Sequence, residues 1–250
     1  MPLSHSQITQ AYTGRPLDYP GRAPARSWYL MASGRVSWLE SAESLPAAWW
    51  QERQLLLAIG SNRRPHRLLD HLSSLPDVSC AGLKIALRGA DVVYPSHVSG
   101  YGVCTSTIVP CPGAVIESWL LLVREDQLAS LVEREGAHGF GLYRLGGVVA
   151  EIEGSARRIE SPLAFAHTHG PLTFADDRPR GLARVKACAG PIARVPLAAA
   201  HRRIEALLGK RLQWPLAAPK DVDHRLASLG LPIEWLENQR LSAGTRRVTR

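Results

Sequence analysis

The stretch Gln54-Leu55-Leu56-Leu57-Ala58-Ile59-Gly60-Ser61-Asn62 decides how the rest of the chain is read. Residues 55–59 form a short apolar run, the pattern of a strand buried on both faces. The run stops at Gly-Ser-Asn, three residues that favour a turn. Beyond it, Leu68, Leu69, Leu72 and Leu75 fall on one face at helical spacing, which predicts a helix over 63–75. Asn62 suits the N-cap of that helix, and Pro65 suits its first turn, where a missing N–H costs nothing. A strand, a small-residue turn and a helix start aim several backbone N–H groups at one point, a ready place for a carboxylate or phosphate. The same pattern also fits an ordinary strand-to-helix turn with no ligand.

The chain's 250 residues, 45% of them hydrophobic, suffice for one large domain or two small ones with a real core. No apolar run reaches the roughly 18 residues that span a bilayer. Met1-Pro2-Leu3-Ser4-His5 lacks a charged region followed by an apolar one, so the expectation is a cytoplasmic protein without a membrane partner. The four cysteines, Cys80, Cys104, Cys111 and Cys188, are scattered and form no Cys-x-x-Cys pair. That argues against a zinc ribbon or thioredoxin-like site and for reduced thiols. The formal charge of +8 is spread along the chain, with only three Phe and no interleaving of aromatic and basic residues. Nucleic acid is therefore not the expected partner.

Residues 1–25 are rich in Pro, Gly, Ser and Arg without an apolar period, and read as a flexible N-terminal arm. Two short strands are expected about Ser33-Gly34 within 28–39, and a helical turn over 44–51. Extended chain is expected at 91–94 and 105–109, a turn at Pro110-Cys111-Pro112-Gly113, and a long apolar strand over 114–123. A helix over 125–135 closes at Gly136. Further strands are expected over 143–153, kinked at Gly146-Gly147, and over 161–168, then helices over 196–208, 221–229 and 232–242. The two prolines within 214–220 mark a linker. The expected organisation is an arm (1–25), a main domain (26–214) and a helical C-terminal extension (215–250).

One carboxylate stands out. In the helix over 125–135, Leu128, Leu131 and Val132 set the buried stripe, and Glu135 occupies its next position. An acid there fills a slot that should be apolar, at a helix end whose carbonyls disfavour negative charge. A carboxyl held in such a place suits proton transfer near neutral pH. The alternative is a frayed helix end with Glu135 turned to solvent.

The order of these features resembles the γ-glutamylcyclotransferase family. The resemblance rests on Ile59-Gly60-Ser61-Asn62, then Cys111-Pro112-Gly113-Ala114-Val115, then Asp126-Gln127-Leu128, Leu131, Glu135-Gly136 and Tyr143. It implies an α+β fold, a small mixed, mostly antiparallel β-barrel with surrounding helices. It implies that Ile59, Gly60, Ser61 and Asn62, with Tyr143, bind the γ-glutamyl group of a small γ-glutamyl amine or peptide. Glu135 would act as general acid/base while the glutamyl α-amine attacks its own γ-carbonyl, closing 5-oxoproline and freeing the attached amine. No metal or cofactor is implied. Where the family has Tyr before the Gly and Leu after the Asn, this chain has Ile59 and Arg63. Arg63 reads as a solvated first-turn residue, or as a partner for a second carboxylate of the ligand.

Other constellations compete. In His167-Thr168-His169 the two imidazoles share a strand face and could meet one ion, with His97 or His138 as a third ligand; they equally suit a polar surface or a hydrogen-bonded core. His66 and Asp70 share a helix face as an ordinary surface pair would. Ser61 lies at a sharp turn without the Gly-x-Ser-x-Gly elbow of a serine hydrolase. The non-enzymatic alternative is a binding or scaffold domain on the same fold.

Overall fold

In the computed structural model, which describes residues 16–100, 102–217 and 219–227, the chain opens with strands β1 (Trp28–Leu30) and β2 (Val36–Trp38), helix α1 (Ala47–Glu52), strand β3 (Gln54–Ala58) and helix α2 (Pro65–Leu72). Two long strands follow, β4 (Cys80–Val93) and β5 (Thr107–Val123), then helix α3 (Glu125–Gly136). Shorter strands come next: β6 (Phe140–Arg144), β7 (Val149–Ile152), β8 (Arg158–Glu160), β9 (Leu163–His167), β10 (Gly181–Leu182), β11 (Ala187–Ala189) and β12 (Arg194–Val195). Helices α4 (Leu197–Leu208) and α5 (Pro219–Ala227) end the described chain. The helix expected over 232–242 lies outside the described residues. No helix among them is long and apolar enough to cross a membrane.

The strands form one mixed, largely antiparallel sheet in the order β12-β10-β4-β5-β3-β9-β6. Among the described residues, only β3–β9 and β10–β12 pair in parallel. One edge of β4 pairs with β5, and β1, β7 and β10 share its other edge in turn. The expected barrel is corrected here. The hydrogen-bonded path runs from β12 to β6 without returning, so the sheet is open among the described residues. Closure would need a pairing between those two ends, and the free edge of β4 is already filled by three short strands.

β3 is buried on both faces, as its unbroken apolar run requires. Leu56 and Ala58 join one core cluster with Trp28, Trp119 and the Leu68, Leu69 and Leu72 face of α2. Leu57 and Ile59 join the other, with Leu83, Leu120 and, from α5, Val222 and Leu226. β4 extends further than its sequence suggests, because both of its faces are largely buried and no clean alternation survives. The expected turn at 110–113 is instead an irregularity inside one strand. Ala90 pairs with Pro110 and Arg88 with Val115, so residues 111–114 loop out while pairing continues on both sides. Gly89 sits opposite with φ +86°, and a side chain there would press on the Gly147 carbonyl at 2.6 Å. The expected kink at Gly146-Gly147 is a crossover: β6 pairs with β9, and β7 leaves to pair with β4.

Candidate functional site

The end of β3 and the start of α2 are shaped by Pro65. A residue before proline is pushed out of the helical region, and Arg64 accordingly sits at φ −92°, ψ 123°. The expected helix over 63–75 therefore cannot run through Arg64. The chain makes a 3-10 turn at Ser61–Arg63, breaks, and starts α2 with Pro65 at its first position. Asn62 is thus not the cap of α2. Its side-chain amide instead donates from Nδ2 to Glu135 Oε1 at 2.9 Å. The leading N–H groups of a helical turn have no partners within it, so the Gly60–Asn62 bend offers donors beside that contact.

Glu135 arrives from α3. Gln127, fully buried, donates its side-chain amide to the carbonyls of Asp77 and Ser79 and accepts from the Arg124 N–H. Leu131, also fully buried, follows four residues on, and Glu135 four residues after that. The stripe runs off the core into an open pocket, so Glu135 is half-buried rather than hidden. The helix ends one residue later than expected. Gly136 belongs to it, Ala137 caps it in a right-handed conformation, and the left-handed glycine is Gly139, at φ +78°.

Both elements face a pocket of about 760 Å³, open mouth included. Ile59, Gly60, Ser61 and Asn62 line it, with Arg67 and His71 from α2 and Arg134, Glu135 and His138 from the end of α3. The segment between β4 and β5 adds His97, Thr105 and Ser106, and Phe140 and Phe165 add apolar wall. Glu135 is the only acid among the described lining residues, against two guanidinium groups. Burial, with the neighbouring Arg67, Arg134 and His138 charges, pushes His71 down to about 3, so it is neutral.

Tyr19 completes the wall next to Gly60. Its hydroxyl lies 2.6 Å from Ser106 Oγ. Burial, with Glu135 nearby, pushes the phenol up to about 12 despite the Ser106 bond, so it stays protonated. A side chain on Gly60 would fall on the Tyr19 hydroxyl and within 2.8 Å of Ser106 Oγ. Sequence reading missed Tyr19 because it stands in a Pro- and Gly-rich segment with no apolar period. Its one available signal was an aromatic residue before Pro20-Gly21.

Two expected site residues lie elsewhere. Tyr143 is buried in the core and is not among the residues lining the pocket. Arg63 is not solvated. It is 2% exposed, donates from Nη2 to the Gly21 carbonyl at 2.9 Å, and its own carbonyl accepts the Trp28 indole N–H. Burial pushes its guanidinium down to about 10. It is not among the pocket-lining residues.

The histidines do not converge on an ion. β9 ends at His167, so His169 lies past the strand and the shared face is lost. The His169 N–H donates to His167 Nδ1, which occupies one ring nitrogen. His97 stacks on His167 with centroids 4.2 Å apart and planes 26° off parallel. Among the described residues no cluster of three or more His, Cys, Asp or Glu could hold a metal. No imidazole hydrogen-bonds Ser61 there either.

No protein-family model matches this chain, and no curated protein matches it. Among solved structures, one described as a gamma-glutamyl cyclotransferase is similar at 14% identity over 73% of this chain and 90% of that chain, with a TM-score of 0.39. An uncharacterized protein from Homo sapiens is similar at 16% identity over the same shares, also with a TM-score of 0.39.

Proposed function

We propose that the protein is a cyclotransferase that releases 5-oxoproline and a free amine from a γ-glutamyl amide. The observation that carries this reading is the Asn62–Glu135 hydrogen bond, which joins the Gly60–Asn62 bend and the carboxylate in one pocket. The order of motifs from Ile59 to Tyr143 supports it. In this reading the bend's N–H groups hold the γ-carbonyl oxygen as it gains negative charge. Asn62 orients the Glu135 carboxylate by holding Oε1. The carboxylate takes a proton from the attacking α-nitrogen and returns it to the departing nitrogen. Nucleophile and electrophile belong to one molecule, so the pocket's main task is to fold the substrate into a ring-closing shape.

The test is 5-oxoproline release from a panel comprising L-glutamine, γ-glutamylalanine and γ-glutamylputrescine. At least one should turn over, and Glu135→Gln should lower kcat by roughly 100- to 10,000-fold, the usual range for losing a general acid/base. Release that survives Glu135→Gln rejects the mechanism. A non-catalytic binding domain is the second reading. It is favoured by Ile59, an apolar side chain at the mouth of the bend, and would be supported by binding without turnover across the panel.

A further inference from the structure

The reaction proposed above leaves one arrangement in the pocket wall unused. His97 lines the same pocket as Glu135 and is 4% exposed. Its Nδ1 lies 2.8 Å from Asp223 Oδ1, and the Val98 N–H donates to the same oxygen at 2.9 Å. Asp223 comes from α5, whose sequence lies more than a hundred residues from His97. Burial works against the Asp223 carboxylate, but His97 and the Val98 amide outweigh it and hold the group below its ordinary range. An ionised acceptor on Nδ1 fixes the proton there and leaves Nε2 as a lone-pair acceptor. Nε2 is buried and has no partner among the described residues. A buried polar atom without a partner is unfavourable, and a ligand that donates a hydrogen bond would relieve it.

Several groups face the His97 ring. His167, stacked on it, is pushed by burial down to about 3 and is neutral. Phe140 meets it edge-on at 5.7 Å. Asp223 is the charged group in direct contact, His169 lies behind His167, and Arg67, Arg134, His138 and Glu135 line the rest of the pocket.

The proposed reaction has a proton that Glu135 alone does not handle. The substrate's α-nitrogen enters as an ammonium with three protons, and ring closure leaves one. Two must go, and a single carboxylate shuttle carries one of them from the attacking to the departing nitrogen. We infer that His97 Nε2 takes the other, from the α-ammonium before attack, with Asp223 as its positioning residue. This inference rests on the cyclotransferase reading. The steps then balance. His97 removes one proton and becomes an imidazolium held by Asp223. The neutral amine attacks the γ-carbonyl, and a carbon–nitrogen bond forms. Glu135 moves the second proton to the amide nitrogen, and the old carbon–nitrogen bond breaks. The imidazolium gives its proton to the released amine, which leaves as an ammonium. The pocket therefore recognises a free primary α-ammonium, and an N-acylated glutamyl amide would lack the proton that His97 takes.

The experiment uses the full chain and whichever panel substrate the wild type turns over. His97→Asn should lower kcat by about 100- to 10,000-fold and change KM by no more than a few-fold. Asp223→Leu should lower kcat in the same sense. Asp223→Asn should also lower kcat, because it keeps the shape but loses the charge, and its amide N–H can turn to Nδ1 and set the other tautomer. In nitrogen-15 NMR of histidine-labelled wild type, His97 should carry its proton on Nδ1, and Asp223→Leu should lose that signature. Wild-type kcat in a folded His97→Asn overturns the inference and leaves the cyclotransferase reading standing. An Nε2–H tautomer in the wild type overturns it even if the variants do not fold. Wild-type kcat in a folded Asp223→Asn, or an Nδ1–H signature that persists in Asp223→Leu, overturns the positioning role. No 5-oxoproline from any panel member with wild type rejects the cyclotransferase reading itself, and the inference falls with it.

Discussion

Gly60 carries the tightest steric constraint in the pocket. The demand for glycine there shows most plainly in the space around it. A β-carbon there would meet the Tyr19 hydroxyl and Ser106 Oγ, which are hydrogen-bonded to each other. Gly60→Ala should therefore push Tyr19 aside and destabilise the fold by about 1–3 kcal/mol, the usual cost of overpacking. Tyr19→Phe removes the obstructing oxygen. In a double-mutant cycle read by urea denaturation, the pair should be less destabilised than the sum of the single changes, by about 0.5–3 kcal/mol. Strict additivity would show that the two residues do not compete for the same space. At this scale the sequence marks several of the residues that line the candidate pocket. Gly60, Ser61, Asn62 and Glu135 were marked by a small-residue turn and by an acid in an apolar slot, both local patterns. Tyr19 could not be read, because only tertiary packing places it against Gly60.

The helices show where local pattern stops being enough. The apolar face of α2 was legible, but its start was not, since Pro65 restricts Arg64 and so moves the first turn. In α3 the stripe through Leu131 to Glu135 was legible, yet its firmest anchor is a polar residue. Gln127 is fully buried and joins the N-terminus of α3 to the Asp77 and Ser79 carbonyls. A polar residue with its partners far along the chain has no signature in hydrophobic periodicity. Gln127→Leu keeps the volume; the Asp77 and Ser79 carbonyls retain donors from the Arg124 and Arg53 guanidinium groups, but the Arg124 N–H loses its acceptor. The substitution should destabilise the fold by about 1–3 kcal/mol, the cost of a buried group left unsatisfied. Because α3 carries Glu135, turnover in the proposed reaction should fall in parallel, with kcat more affected than KM. A variant as stable as wild type would show that water or a neighbour replaces the amide without cost.

Across the whole molecule, acid should unfold the chain earlier than its carboxylates alone would dictate. Besides His97, three imidazoles are buried among the described residues. His71 is in α2, His167 at the end of β9, and His201 is in α4, stacked on Trp214 with centroids 3.7 Å apart. Burial pushes His71 and His167 down to about 3 and His201 down to about 4. The folded chain therefore keeps all three neutral at pH values where the unfolded chain, with an ordinary imidazole, binds a proton at each. More protons on the unfolded state means that stability rises with pH, so it falls as pH drops below about 6.5. At pH 5 each imidazole accounts for a loss of at most about 2 kcal/mol relative to neutral pH. Carboxylates held low in the fold, such as Asp126 beside the Arg124 guanidinium, lose their contribution only at lower pH, below the ordinary carboxylate range. The two windows are separable. Urea melts between pH 7 and 5 should show a falling midpoint, and His201→Phe, which keeps the stack on Trp214 and removes the titrating ring, should flatten that slope by its share. A midpoint that stays constant over this window, or an unchanged slope in His201→Phe, would show that these rings take up protons without unfolding.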